Sequence, residues 1–282
     1  MAHDYRIRPM TREELGLAID WAAAEGWNPG LNDAPCFYAV DPQGFLLGLW
    51  GEEPVASISV VKYGADFGFL GFYIVKPAFR GRGLGFALWQ AGMASLAGRN
   101  VGLDGVVAQQ DNYRKSGFAL AWRNIRQEGV GGGEAPADTR LVRLASLPFE
   151  TVRAYDQPFF PADRSTFLRC WLAQPGSTAI GFVESGRLKG YGVLRRCRQG
   201  YKIGPLFADH PAIAESLFLA LKAGAGAGEK IYLDTPEVNP QAVALARRHS
   251  MTLAFETARM YTGGSPPLPM DRLYGVTSFE LG

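Results

Sequence analysis

The chain repeats itself, and the repeat fixes how many times one fold must be built. An opening strand and helix, Tyr5-Arg6-Ile7-Arg8-Pro9-Met10 and then Thr11 to Trp21, returns as Thr139-Arg140-Leu141-Val142-Arg143-Leu144 and Phe149 to Tyr155. Thr11 with Glu14 three residues on predicts a capping box at the first helix. A hairpin over 48–56 returns over 182–190, Leu103-Asp104 at a strand end as Leu233-Asp234, and Tyr113-Arg114-Lys115-Ser116-Gly117-Phe118 as Ala246-Arg247-Arg248-His249-Ser250-Met251. Four echoes in one order imply duplication. Between the copies, Gln127 to Asp138 holds Gly129, Gly131, Gly132, Gly133 and Pro136 with no apolar periodicity, the composition of a linker. The expected division is 1–128, a linker at 129–138, and 139–282. Each copy reads strand-helix, hairpin, strand-helix, strand-helix-strand, an α+β (mixed α/β) unit with a central mixed sheet flanked by helices.

Chemistry concentrates in 72–90, Phe-Tyr-Ile-Val-Lys-Pro-Ala-Phe-Arg-Gly-Arg-Gly-Leu-Gly-Phe-Ala-Leu-Trp-Gln. A hydrophobic strand runs through a turn into Arg80-Gly81-Arg82-Gly83-Leu84-Gly85-Phe86, which opens an amphipathic helix. Glycines let successive backbone N–H groups converge without a Cβ in the way, and the helix start adds its dipole, so the loop suits a phosphate or pyrophosphate. Arg80 and Arg82 add charge. A dinucleotide fingerprint fails, because the sixth position is Phe86 counted from Gly81 and Leu88 counted from Gly83; the Gly-Lys-Ser/Thr of a Walker loop is absent.

The segment resembles the R/Q-x-x-G-x-G/A signature of the GNAT superfamily of N-acetyltransferases, where it follows the fourth strand and holds the pyrophosphate of acetyl-CoA. Asn112-Tyr113-Arg114-Lys115-Ser116-Gly117-Phe118 is similar to that family's Tyr-x-Lys-x-Gly-Phe ending, although the Asn often found seven residues earlier is Val106 here. Asn239-Pro240-Gln241-Ala242-Val243-Ala244-Leu245-Ala246 resembles the N-x-x-A-x-x-L-Y run that precedes the ending. The resemblance implies two tandem GNAT-like domains, the second degenerate. It also implies acetyl-CoA as cosubstrate, pantetheine held by the backbone of Tyr73, Ile74 and Val75, pyrophosphate held by Arg80 to Phe86, and Tyr113 protonating the departing sulfur in a direct transfer. In the second copy's counterpart of the loop, Pro205 to Glu215, there is no glycine after Gly204, Asp209 and Glu215 would repel phosphate, and Ala246 stands at the tyrosine position. Only the first copy is expected to bind coenzyme A.

A net charge of +2 on 282 residues, with the arginines dispersed, argues against a nucleic-acid surface. No apolar run approaches the roughly 18 residues that span a bilayer, and Met1-Ala2-His3-Asp4-Tyr5 lacks the regions of a signal peptide, so a cytoplasmic protein, monomer or homodimer, is expected. Cys36, Cys170 and Cys197 are far apart, and His3, His210 and His249 lie at no metal-ligand spacing, so neither a disulfide framework nor a metal site is indicated.

For the acceptor side, Trp27, Asn28 and Asp33 follow the first helix, where GNAT folds place a loop over the acceptor groove. Trp27 offers a wall and Asp33 a carboxylate for a cationic amine. The aromatic run Pro158-Phe159-Phe160-Pro161 before Arg164 is a second candidate, with Phe160 named as a contact, and Asp271 to Gly282 is expected to fold back as a strand or a crossing tail. Many family members carry a Glu on the fourth strand, yet Phe67-Gly68-Phe69-Leu70-Gly71-Phe72 has no carboxylate; Asp33, Asp104, Asp111, a water chain and the carboxylate of Gly282 stay open as the general base. The expected activity is acetyl transfer from acetyl-CoA to a small-molecule amine. The alternatives are a protein or peptide N-acetyltransferase and a non-catalytic acyl-CoA-binding regulatory module.

Overall fold

A computed structural model of the protein describes residues 4–282. Met1, Ala2 and His3, part of the segment read above for a leader, lie outside the described residues. The first copy runs β1 (Tyr5–Pro9), α1 (Leu15–Ala24), α2 (Asp33–Val40), β2 (Phe45–Trp50), β3 (Glu53–Tyr63), β4 (Phe67–Val75), α3 (Leu84–Ser95), β5 (Asn100–Val106), α4 (Gln110–Lys115) and β6 (Ala119–Val130). The second repeats that order as β7 (Leu141–Arg143), α5 (Phe149–Asp156), α6 (Ser165–Ala173), β8 (Thr178–Glu184), β9 (Arg187–Arg196), β10 (Tyr201–Ala208), α7 (Pro211–Ala223), β11 (Lys230–Pro236), α8 (Pro240–Arg248) and β12 (Thr252–Tyr261), then adds a short β13 (Leu273–Gly275). The capping box is present: Thr11 N donates to Glu14 Oε2 at 2.8 Å and Glu14 N to Thr11 Oγ1 at 3.3 Å. Gly117 closes α4 at φ +88°, the left-handed residue that a helix C-terminus favours.

The two copies share one sheet, ordered β1-β2-β3-β4-β5-β12-β6-β11-β10-β9-β8-β7, with β13 against β10. Among the described residues, only β4–β5 and β10–β11 pair in parallel. The last strands are exchanged. β12 of the second copy lies beside β5, from Gly102↔Tyr261 to Val106↔Thr257, while β6 of the first lies beside β11, from Asn124↔Pro236 to Val130↔Lys230. β6 and β12 meet antiparallel at the centre, the arrangement of two equivalent strands about a two-fold.

That exchange explains the Leu-Asp echo. Asp104 on β5 takes Arg259 of β12 in a two-pronged contact at 2.9 and 2.6 Å, and Asp234 on β11 takes Arg126 of β6 at 2.7 and 2.8 Å. All four side chains are nearly or fully buried, so each copy supplies the charge partner that the other copy's buried aspartate requires.

The expected linker begins inside a strand. Gly129 and Val130 complete β6 opposite Ile231 and Lys230, and irregular chain starts at Gly131. The glycines there serve close packing: a Cβ on Gly129 would stand 2.9 Å from Met251 Cγ, and one on Gly131 2.7 Å from Ala225 Cβ. The helices α3 and α4 cover the first copy and α7 and α8 the second, over apolar clusters centred on Leu88, Trp89 and Leu103 and on Leu217, Phe218 and Leu233. A third cluster joins Phe37, Phe69 and Phe72 of the first copy to Trp171, Phe207 and Phe279 of the second.

Candidate active site

β4 and β5 pair only from Phe67 to Leu70. Beyond Leu70 the register against β3 shifts, and Phe72 sits at φ +46°, a conformation costly for a bulky residue and held by its surroundings. Ser57 Oγ secures the bulge by donating to the Phe72 carbonyl at 2.8 Å. β4 therefore leaves β5, and a cleft of about 500 Å³ opens between them, bordered by Tyr73, Ile74 and Val75 on one arm and by Leu103 to Val106 on the other. That volume suits a ligand of cofactor or drug size.

The glycine loop closes one end. Gly81 and Gly83 have φ of +75° and +78°, and a Cβ at either would meet nothing within 4 Å, so both positions require glycine for conformation while leaving open space in front. Gly83 caps α3. The helix's first backbone bond returning to the loop is from Ala87 N to Gly83 O at 3.1 Å, which leaves the preceding N–H groups without intrahelical partners, aimed as an anion site requires. Gly85 is needed for packing, since a Cβ would stand 2.9 Å from Tyr73 Oη and Val75 Cγ2. Leu84 and Phe86 also border the cleft. Arg80 donates to the Val75 carbonyl at 2.8 Å and pairs with Glu25 at the rim. Arg82 does not border the cleft as expected; its guanidinium stands 5.1 Å above the Phe79 ring.

Tyr113 reaches the cleft from α4, stacked on Trp89 at 5.7 Å, with Tyr73 against the same indole at 5.3 Å. Its ring edge fills the space over Gly105, where a Cβ would stand 2.2 Å away. Burial, with a smaller contribution from Tyr73, pushes the Tyr113 phenol up to about 12, so it keeps its proton throughout the neutral range. Burial also lifts the Asp104 carboxyl above the ordinary range against the pull of Arg259 and Asn124. Its oxygens accept from Arg259 and from Asn124 Nδ2 at 2.8 Å.

The far end is built largely by the second copy. Phe255 and Thr257 from β12 and Phe279 and Glu280 from the tail after β13 line it together with Trp27. The α1–α2 loop that carries Trp27 is stitched to the β9–β10 hairpin, where Leu31 N donates to Arg196 O at 3.0 Å and Arg198 N to Pro29 O at 3.1 Å, and to β6, where Arg126 Nη1 donates to the Trp27 carbonyl at 2.6 Å.

A family model described as "Acetyltransferase (GNAT) family" matches residues 11–118, and one described as "Acetyltransferase (GNAT) domain" matches 152–275. A holothin acyltransferase from Pseudoalteromonas sp. (strain SANK 73390) is 30% identical over 275 residues, covering 98% of this chain and 94% of that protein. The chain belongs to the GNAT family. Among solved structures, a putative acetyltransferase from Pyrococcus horikoshii superposes with a TM-score of 0.84 at 22% identity, covering 100% of this chain and 97% of that one. A tandem GNAT protein from the clavulanic acid biosynthesis pathway superposes at 0.63 and 16% identity, covering 93% and 100%. Both share the fold.

Within this GNAT pair several expected acceptor residues lie elsewhere. Asp33 is fully buried, accepting from Arg195 Nε at 3.0 Å and Gly30 N at 2.9 Å; it neutralises an arginine of the second copy and does not face the cleft. Asn28, at φ +51°, spends both ends of its amide on Gln199, donating to its carbonyl at 3.0 Å and accepting from its N–H at 2.9 Å. Phe160 lies in the core edge-on to Tyr63 at 4.7 Å and Phe67 at 5.4 Å. Its neighbour Phe159 stacks on Phe207 at 4.0 Å, so the aromatic run is packing. Asp111 is exposed and paired with Arg114 at 2.8 Å, and the Gly282 backbone oxygen accepts from buried Arg164 at 3.4 Å, away from the cleft. Trp27 and Tyr113 do reach it. Phe279 and Glu280 belong to the 271–282 tail expected to fold back, although no local signal marks either residue, and Phe255 carries none.

Among the described residues, no group of three or more His, Cys, Asp or Glu is placed to hold a metal ion, and no helix is long and apolar enough to cross a membrane.

Proposed function

We propose that this GNAT protein transfers the acetyl group of acetyl-CoA directly to an amine on a small, flat and largely apolar molecule. The observation that carries the reading is one continuous cleft with unlike ends. At one end is an anion-binding loop of glycines and free amides; at the other is a slot walled by Trp27, Phe255 and Phe279. A diphosphate fits the first, and a planar hydrophobic acceptor fits the second. The open space in front of Gly81 and Gly83 is what a pyrophosphate approaching the backbone needs.

In this reading the first copy binds the cosubstrate. The N–H groups of Tyr73, Ile74 and Val75 hold the pantetheine arm as an added strand on splayed β4 and polarise the thioester carbonyl. Arg80, Gly81 and Gly83 to Phe86 hold the pyrophosphate, and Tyr113 donates to the departing sulfur. The second copy binds no coenzyme A and instead shapes the acceptor slot. Its own β10–β11 opening is occupied by β13, with Leu206 and Phe207 paired to Gly275 and Leu273 and Val276 N bonded to Asp234 O at 2.9 Å.

The named relative is an acyltransferase acting on holothin, which supports a small-molecule acceptor and an enzyme over a regulatory binding module. A slot walled by Trp27, Phe255 and Phe279 also suits a small acceptor better than a protein or peptide, which needs an open groove. The test is free-thiol release from acetyl-CoA with a panel of arylamines, arylalkylamines and peptide N-termini, repeated with longer acyl-CoAs. Thiol release with arylalkylamines or arylamines and none with peptides is expected. Release with peptides alone, or with no amine, would overturn the reading.

A further inference from the structure

Three carboxylates border the cleft: Glu25, Asp104 and Glu280. Glu25 is bound to Arg80 at the exposed rim, and the oxygens of Asp104 are occupied by Arg259 and Asn124. Glu280 differs from both. Its residue is only 4% exposed and its Oε2 has no hydrogen-bond partner, an arrangement that costs stability unless the atom meets a ligand or water.

Its position is set by β4. Gly71 stands where β4 begins to leave β5, and a Cβ there would lie 2.3 Å from the Glu280 carbonyl oxygen. The tail thus packs on β4, a cleft-bordering strand that carries no carboxylate of its own. The seat is firm: Arg272 pairs with Asp209, Arg164 Nη1 donates to Thr277 Oγ1 at 3.0 Å, the Phe279 ring lies 4.7 Å under Arg126, and Tyr63 Oη donates to Leu281 O at 3.2 Å.

We propose that Glu280 is the general base of the transfer, a carboxylate that the degenerate copy delivers to the active copy's thioester. The inference rests on the acetyl-transfer reading above. The arriving ammonium gives one N–H proton to the Glu280 carboxylate, and the neutral nitrogen then bonds to the thioester carbonyl carbon. The C–S bond breaks with its electron pair on sulfur, beside Tyr113; the nitrogen's surplus proton goes to that sulfur as coenzyme A leaves as the thiol, and Glu280 returns its own proton to water. The second copy's lost cofactor cleft becomes the anchor of the tail: β13 fills it, and the opposing pair Asp209–Arg272 stands where the first copy has its phosphate loop.

The test uses the full-length enzyme, acetyl-CoA, and whichever of tryptamine and 2-phenylethylamine the parent turns over. Glu280→Gln keeps size and polarity. It is expected to lower kcat/KM at neutral pH by about 10²–10⁴-fold with unchanged calorimetric affinity for acetyl-CoA. The deficit is expected to narrow as pH rises toward the amine's own pKa, near the ~10.4 of a lysine, where free amine no longer needs a base. The charged or titratable groups facing Glu280 are Arg126 from β6, Arg195 from β9, and Asp104, Glu25, Tyr73 and Tyr113 across the cleft. Their protonation is shared by parent and variant, so the ratio of the two rates isolates Glu280. A ratio within threefold, a deficit independent of pH, or lost acetyl-CoA affinity in Glu280→Gln would overturn the assignment. Failure of the parent on every amine would instead refute the transfer reading, so the two failures are distinguishable.

Discussion

Replacing Tyr113 with Phe removes one oxygen from the cleft and leaves the stack on Trp89 and the contact with Gly105 in place. The size of the effect follows from the environment of the phenol. With its pKa pushed up to about 12 by burial, full transfer to a thiolate whose conjugate acid resembles a cysteine at ~8.5 would be uphill by roughly 3.5 units, or about 5 kcal/mol at 1.36 kcal/mol per unit. Tyr113 is therefore expected to act mainly by hydrogen-bonding the sulfur as charge develops, a charge-assisted bond worth about 1.5–3 kcal/mol. The corresponding loss in kcat is roughly 10- to 150-fold. Single-turnover thiol release with saturating amine reads this directly, and calorimetry should give unchanged acetyl-CoA affinity. A kcat for Tyr113→Phe within threefold of the parent, with chemistry limiting, would reduce Tyr113 to packing beneath the pantetheine; a loss above 10⁴-fold would show that the proton itself is transferred. The same shift predicts a stability effect. The folded pKa lies above the unfolded value near 10, so the stabilisation is complete below about pH 10 and is lost as pH rises through about 12; Tyr113→Phe should flatten that alkaline decline in thermal melts.

Gly83→Glu should abolish acetyl-CoA binding in a folded protein, because the new side chain would enter the open space in front of the loop with the wrong charge; unchanged affinity by calorimetry would remove the loop from the cofactor site. Equilibrium titration should give one coenzyme A per chain, since β13 occupies the second opening; a stoichiometry of two would refute the division of labour. Breaking either exchanged ion pair, by Arg259→Ala or Asp234→Ala, should cost about 3–5 kcal/mol in chemical denaturation because it strands a buried charge. The exposed pair Arg6–Glu52, with side chains 59% and 92% accessible, should yield under about 1 kcal/mol for Arg6→Ala. Equal losses at the two kinds of site would contradict the account of the exchange.

What the sequence determined by itself is local. The capping box of Thr11 and Glu14, the left-handed glycines 81 and 83 before α3, and the stop at Gly117 are each written within a few residues, because turns and helix ends are decided by hydrogen bonds that short. The duplication was legible for the same reason, as the same local signals come twice in the same order. What only the tertiary structure decided lies between residues far apart in the chain. Asp33 looked available for an amine, but the fold brings Arg195 to it, and a buried arginine claims any carboxylate within reach. Phe160 looked like a pocket wall, but Tyr63 and Phe67 enclose it. The exchange of β6 and β12 changes no local propensity, since a strand's pattern records which face is buried and not which neighbour it pairs with. Glu280 follows from that ignorance most directly: a lone glutamate near a chain's end is unremarkable by composition, and it becomes a candidate base only once β13 has filled the second cleft and carried the tail across to Gly71.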